Sequence, residues 1–396
     1  MCQRSGRYIS RMTLAEILSN EELRRHEFPI VREKVYLAHA GVCPLPRRVR
    51  EAIDAYTDAC MTCDQEEAMP SRLIPETRAL AARLLNAKTE EIALVGPTSL
   101  ALSFIAQGMR WQKGDNMIIY FDDYPSNVYP WMDLANRGVE VRLIRVRDWG
   151  RVRKADVLGQ ADENTRLVAL ASCHFVTGYR LDHQAIGRSL RSRNILFCLD
   201  GIQTVGAFPM PMNHVDFMAA DAHKWLLGPC AAGLLYVRQP VQARLTPAAL
   251  GWHNVRCPNF AAQEKMELLP DARRYEAGTP NLMGIAGLRA ALELLLEIGI
   301  EPIAAELLRK RAWVIPALQA KGWEVIEAAA APENAGGIIT FDRPGADMVA
   351  LHRSLAEAGI VTSLRADRTG RHFVRLSPHF YNTDAELQRM IEACPA

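Results

Sequence analysis

A chain of 396 residues that is 49% hydrophobic and 23% charged has the composition of a soluble enzyme, long enough for two or three domains. Its formal net charge of +2 is spread over mixed signs with no basic run. That excludes the electrostatic footprint of a nucleic-acid binder or of a protein held on an anionic membrane, and leaves small molecules as the expected partners. Nine cysteines without framework spacing, and no leader with an apolar run, point to reduced thiols in a cytoplasm.

The first twelve residues, MCQRSGRYISRM, are polar, basic and aperiodic and read as a loose tail; with the helix that follows they fill positions 1–27. TLAE, from Thr13 to Glu16, is a capping box that opens this helix. CMTC, from Cys60 to Cys63, is the one C-x-x-C. A structural zinc would need a second pair, so the two cysteines are read as two faces of a helical turn and no metal is expected. From about residue 70 to 240 the runs EIALV, NMIIYF, VEVRLI, RLVALA, NILFCLD, VDFMAAD and AGLLYV alternate with amphipathic helical patterns. Many of these runs are apolar at consecutive positions, which means burial on both faces, so the fold class is α/β with a large, mostly parallel sheet sandwiched by helices. Residues 240–280, rich in Pro, Trp and polar residues, have no clear period, and loops of that length in a compact enzyme are usually functional. NLMGIAGLRAALELLLEIG then reads as a long apolar-striped helix. Beyond it, helices near 303–320, 346–358 and 383–393 alternate with short strands around 323–326, 337–341 and 373–376. The expected division is a large domain over 28–289 and a smaller α/β domain over 290–396.

Within LDGIQTVGAFPMPMNHVDFMAADAHKWLLGP, residues 199–229, a lysine stands between two apolar runs. Alone, Lys224 would lay its stem on the core and lift its ammonium to water. Asp200, however, ends the run NILFCLD at the carboxyl edge of a buried strand, where open α/β sheets place their ligands, and Gln203 follows three residues later. A buried aspartate needs a cationic partner, and a lysine near a carbonyl compound can form a Schiff base. Pyridoxal 5'-phosphate (PLP) demands this pair: a lysine for its aldehyde and a carboxylate to keep its ring nitrogen protonated. GPTSLALSFIAQG, from Gly96, joins a strand to a helix whose first turn offers free N–H groups plus the Thr98 and Ser99 hydroxyls, as a phosphate would require.

FDDYPSNVYPW, HFVTGYRLD, DGIQTVGAFP with AADAHKWLLGP, EAGTPN and VRLSPHFYNTDAEL follow one another along residues 28 to 392. Together they resemble the class V aminotransferase branch of the fold type I PLP-dependent enzymes, which includes cysteine desulfurases, selenocysteine lyases, kynureninases and isopenicillin N epimerase-like proteins. The resemblance implies a homodimer with the active site at its interface, and a small domain built from the carboxyl end plus amino-terminal residues. It implies that Lys224 bonds the cofactor and then shuttles the α-proton, that Asp200 pairs with the ring nitrogen, and that Gln203 meets the ring hydroxyl. His223, Thr98 and Ser99 would bind the phosphate, Tyr124 would stack on the cofactor face, and Thr279 would reach a phosphate across the dimer interface. Arg375 would hold the substrate α-carboxylate with a bidentate fork that lysine cannot copy. His174 lies where relatives often carry an asparagine near the ring hydroxyl, and His39 replaces an asparagine or aspartate of the substrate pocket. Two imidazoles near such a site could act as general acid or base on the substrate, which makes His174 a catalytic candidate.

The product depends on which bond at Cα is broken and on what leaves, so PLP alone does not reveal the reaction. Cysteine desulfurases carry a nucleophilic cysteine on the loop before the carboxylate arginine; here that loop reads SLRADRTGRHF, without cysteine. Cys230 and Cys257, in GPCAAG and VRCPNF, have no surroundings that would activate a replacement thiol. The favoured reading is a C–S lyase acting by β-elimination, or a desulfurase-like enzyme lacking the loop cysteine. A class V aminotransferase and an amino-acid epimerase stay open, whereas an intact Lys224 and Asp200 speak against a non-catalytic PLP-binding module. The arginines of SLRADRTGR point either to an anionic substrate or, the favoured reading, to a solvated loop.

Overall fold

The computed structural model of this chain describes residues 12–395. Its amino-terminal half and centre hold strands β1 (Val35–Tyr36), β2 (Ile92–Leu94), β3 (Asn116–Tyr120), β4 (Glu140–Ile144), β5 (Thr165–Ala171), β6 (Leu196–Asp200), β7 (Phe217–Asp221) and β8 (Gly233–Val237). The seven predicted runs are β2 to β8, and they form one sheet in the order β2-β8-β7-β6-β5-β3-β4. All neighbours pair in parallel except β8, which runs against both β2 and β7.

The consecutive apolar residues have the cause expected of them. Side chains along a strand alternate between faces, so a strand covered by helices on both sides needs apolar residues at every position. Ile118, Val168, Phe197 and Met218 enter one core, while their neighbours Met117, Leu167, Cys198 and Phe217 enter a second core on the opposite face. Burying each large apolar side chain is worth roughly 1.5–3 kcal/mol. Edge strand β4 shows the converse, with Glu140 and Leu143 exposed.

The helix Leu282–Ile298 is capped by Asn281, whose side chain accepts from the Gly284 N–H, and is ended by Gly299 at φ 92°. It packs on the helices Arg47–Ala59 and Leu73–Leu84, and Leu292 and Leu295 extend the first core. Position 290, the expected domain boundary, therefore falls inside a continuous helix.

Farther along lie β9 (Glu324–Val325), β10 (Ile339–Asp342), β11 (Ile360–Val361), β12 (Ser363–Ala366) and β13 (His372–Leu376). An antiparallel sheet, β12-β13-β10-β9, packs with the helices Ile300–Ala320, Met348–Glu357 and Asp384–Ala393 around a third core. Val35 and Leu37 belong to that core, and β1 pairs with β11, so amino-terminal residues complete the carboxyl-terminal layer.

Two expectations need correction. Met12 is buried with its N–H on Glu297, so the loose tail does not reach residue 12; residues 1–11 lie outside the described residues. SLRA, read as part of a loop, is strand β12; its edge position leaves little apolar pattern to betray it, and pairing with β13 fixes it. The Thr13–Glu16 capping box forms with both reciprocal bonds. Cys60 and Cys63 sit in the turn after helix Arg47–Ala59, and no metal-holding cluster occurs among the described residues. Nor is any helix among them long and apolar enough to cross a membrane.

Candidate active site

Strands β6 and β7 end at Asp200 and Asp221, and a cavity of about 290 Å³ opens there. Thr98, Ser99, Tyr124, Asp200, Gln203, His223, Lys224 and Arg375, all singled out from sequence, line it.

Lys224 is buried, and the chain on either side of it is pinned. The His223 carbonyl accepts from the Cys43 N–H at 2.7 Å. Trp225 donates its indole N–H to the Gln203 side-chain oxygen at 2.9 Å, and the Trp225 carbonyl lies 3.1 Å from His379 Nε2. Gly206, at φ 93°, passes so close that an added Cβ would stand 2.5 Å from the Trp225 carbonyl oxygen, so glycine is required there. The lysine Nζ is 5.2 Å from the centre of the Tyr124 ring. Burial pulls the Lys224 amine down to about 8; Asp200 resists that shift and the nearby Arg375 and Arg365 guanidiniums add to it.

Asp200 faces the same space. One carboxylate oxygen accepts from the Ile202 N–H at 3.0 Å. Burial pushes the carboxyl up, while the Ile202 N–H and the Lys224 and His223 charges oppose this. Behind it Asp123 is raised to about 7 by burial and then by Asp200; it accepts from the Tyr124 and Ala171 N–H groups and from the Asn127 amide, which sets the turn that aims Tyr124. Nothing in the sequence pattern distinguished Asp123 from an ordinary loop acid.

At the other end of the cavity the helix Thr98–Gly108 begins, and the N–H groups of Thr98 and Ser99 have no acceptor within that helix. The Thr98 hydroxyl accepts from the Asp221 N–H at 2.9 Å, and the Ser99 hydroxyl lies 2.8 Å from that of Ser126, a lining residue missed from sequence. His223 Nδ1 is 2.6 Å from Asp221, which turns Nε2 toward the cavity. Gln203 donates to the Ala40 carbonyl at 3.1 Å and accepts from Trp225, leaving one amide hydrogen for a ligand.

Arg375, on β13, is 1% exposed. It donates to the Phe175 carbonyl and the Ser363 hydroxyl, its Nε has no partner, and it forms no ion pair among the described residues. Burial lowers it to about 9. Arg365, on β12, also lines the cavity, contrary to the solvated-loop reading. That reading does hold for Arg368, paired with Asp122, and for Arg371, paired with Asp342. These two pairs border a larger cleft of about 600 Å³, whose other acids include Asp148 and Glu327, matched by Arg153 and Arg151, and Glu324, which Arg371 also reaches.

Three expected residues stand elsewhere. His39 is fully buried behind the wall, between the Ser377 carbonyl and the Tyr381 hydroxyl, and burial drives it down to about 4, so it is neutral. His174 accepts from the Thr177 N–H at Nδ1 and donates from Nε2 to the Asp122 carbonyl; burial drives it down to about 3. Its neighbour Phe175, not the imidazole, lines the cavity. Thr279 is exposed outside this cavity, with its hydroxyl 3.4 Å from Glu66.

The donor set fits PLP: an amine, a facing carboxylate, an aromatic ring, first-turn N–H groups with hydroxyls, and an imidazole converge on one cavity. The unpartnered, buried Nε of Arg375 adds a donor suited to a carboxylate.

The family described as aminotransferase class-V matches residues 35–390. A probable cysteine desulfurase of Methanothermobacter thermautotrophicus is 30% identical over 400 residues, covering 95% of this chain and 97% of its own. A cysteine desulfurase from Thermococcus onnurineus superposes with a TM-score of 0.84 at 23% identity, over 94% of this chain and 96% of its own. A cystine C–S lyase, solved with its product cysteine persulfide, superposes with a TM-score of 0.83 at 22% identity, over 92% and 98%. At those identities the two structures speak for the fold.

Proposed function

The chain belongs to the aminotransferase class-V family, and we propose that it is a PLP-dependent lyase that cleaves the C–S bond of a cysteine-derived amino acid by β-elimination. It is a cysteine desulfurase-like enzyme with the fold type I architecture. When bound, PLP supplies an aldehyde for amines and a ring that accepts an electron pair from Cα. Lys224, near half-neutral at pH 8, would bond the cofactor and move the proton at Cα. Asp200 would hold the proton on the ring nitrogen, and the Tyr124 ring would shield the reacting face from water. Thr98, Ser99 and His223 would hold the phosphate, and Arg375 would orient the α-carboxylate. His39 and His174, neutral and fully bonded within the protein, position the walls.

One observation favours elimination without a protein persulfide. No cysteine among the described residues lines the cavity, and residues 363–373 contain none. Cys43 and Cys173 are buried, with thiols pushed up to about 12. Sulfur therefore departs with the leaving group. Incubation of the holoenzyme with S-conjugates, sulfoxides and the sulfinate of cysteine, without any keto acid, should release pyruvate and ammonia, or alanine where sulfur leaves as its oxide. Turnover only on addition of a keto-acid acceptor, or exchange of the α-proton with nothing released, overturns the lyase reading in favour of a transaminase or an epimerase.

The lowered Lys224 pKa has a kinetic consequence. A protonated amine cannot attack a carbonyl, and the neutral fraction grows as pH rises through the pKa. Capture of the pyridoxal aldehyde by apoprotein, followed by absorbance, should therefore rise with pH and level off above an inflection near 8, not near the ordinary lysine value of about 10.4. Asp200→Asn removes a charge that holds this pKa up and should move the inflection lower; an inflection near 10 contradicts the site.

The active unit is a homodimer in which Thr279 of each copy serves the other's phosphate. Thr279 stands exposed outside the cavity of its own copy, where it is free to serve a second. Thr279→Val should loosen cofactor retention in a protein that still sediments as a dimer, and a fully active monomer contradicts this. The eight free cysteines among the described residues accord with a reducing cytoplasm.

A further inference from the structure

We propose that the cavity selects amino acids whose side chain ends in a second anionic group, and that Arg365 is the residue that holds it. The proposal rests on the lyase reading for its substrate class and adds a specificity to it.

In the antiparallel pair β12–β13, Ser363 stands opposite Arg375 and Arg365 opposite Phe373. Directly opposed residues share a face, so Arg365 and Arg375 are diagonal neighbours on one face, roughly 7–8 Å apart. Every α-amino acid offers the same carboxylate, and Arg375 suffices for it. A second guanidinium at that spacing faces whatever extends beyond Cα.

Charge balance carries the argument further. Arg365 makes one bond within the protein, from Nη1 to the Leu364 carbonyl, and no ion pair among the described residues. Arg368 and Arg371, a few residues along the same hairpin, are each matched by an aspartate. The chain thus provides counterions for the two arginines facing solvent and none for the two facing the cavity. Lys224, Arg365 and Arg375 stand in that cavity against Asp200, its one acidic lining residue among the described residues. A partly buried guanidinium without a partner is costly and becomes favourable when a ligand brings the anion. Its planar fork suits a carboxylate, sulfinate or sulfonate.

The test uses holoenzyme with L-glutamate and L-glutamine, which match in size and differ in the distal carboxylate. Neither carries a sulfur leaving group, so binding is read from the cofactor's visible absorbance without lyase turnover. Wild type should bind glutamate about 10-fold or more tighter than glutamine, the gain of one charge-assisted hydrogen bond. Arg365→Gln should weaken glutamate to the level of glutamine and leave glutamine unchanged, while Arg365→Lys retains part of the preference. Equal binding of the two in wild type, or binding of neither, overturns the proposal. Equal weakening of both by Arg365→Gln would assign Arg365 to the α-carboxylate, and loss of retained cofactor would assign it to the cofactor phosphate; either outcome also overturns it. A glutamate preference with no elimination from any cysteine derivative would defeat the lyase reading alone. Elimination confined to neutral S-alkyl cysteines, with no glutamate preference, would defeat this proposal alone.

Discussion

Lys224→Ala is expected to lower turnover by about 10³-fold or more while the protein still folds. In the proposed mechanism the side chain contributes twice: its amine would bond the cofactor, and the same amine would move the proton at Cα. General acid–base catalysis alone is worth about 10²–10⁴-fold. Folding should survive, because the amine is desolvated and makes no ion pair among the described residues, so truncation leaves no hydrogen-bond partner unsatisfied. The contacts that place it, from Cys43, Gln203 and His379, are made to its neighbours His223 and Trp225. A small primary amine such as methylamine, added to the variant, should restore part of the rate by taking the proton-transfer role. Turnover within tenfold of wild type would remove Lys224 from the chemistry.

Asp200→Asn is expected to lower turnover by about 10²–10³-fold with cofactor still bound. The amide keeps the shape and can still accept from the Ile202 N–H, but it carries no charge with which to hold a proton on a ring nitrogen. Among the described residues Asp200 is the one acid lining the cavity, so no neighbour there substitutes for it. Asp123, though close enough to raise its own pKa through Asp200, has its oxygens committed to Tyr124, Asn127 and Ala171. An unchanged rate would show that the ring nitrogen is served by another group. A slowed rate with cofactor loss would move Asp200 from tuning the ring to binding it.

Much of this arrangement is legible in the residues themselves. Runs such as NILFCLD and VDFMAAD are apolar at consecutive positions because opposite faces of β6 and β7 enter separate cores, and an aspartate at the end of such a run has to meet something at the sheet edge. The roles proposed for Lys224, Asp200 and the helix start at Thr98 follow from their places on that edge. Positions set by tertiary packing were not legible. After β5 the chain turns through His174 and Phe175, and which of two adjacent side chains faces the cavity is decided by the Thr177 and Asp122 bonds that hold the imidazole away. His39 likewise reads as a pocket residue because Ala40 and Gly41 do line the cavity, while its own ring bonds Tyr381 from a distant helix start. Arg365 was hidden among loop arginines because a four-residue edge strand carries too little alternation to announce itself. Only its register with β13 separates it from Arg368 and Arg371.

Borohydride reduction of the holoenzyme, followed by peptide mass analysis, addresses the claim on which every role above depends. It converts a reversible bond between an amine and the cofactor into a permanent one. The account predicts a single pyridoxyl adduct, on the peptide that carries Lys224, and no adduct in Lys224→Ala. An adduct on any other lysine of the wild-type protein, with the Lys224 peptide unmodified, would contradict it.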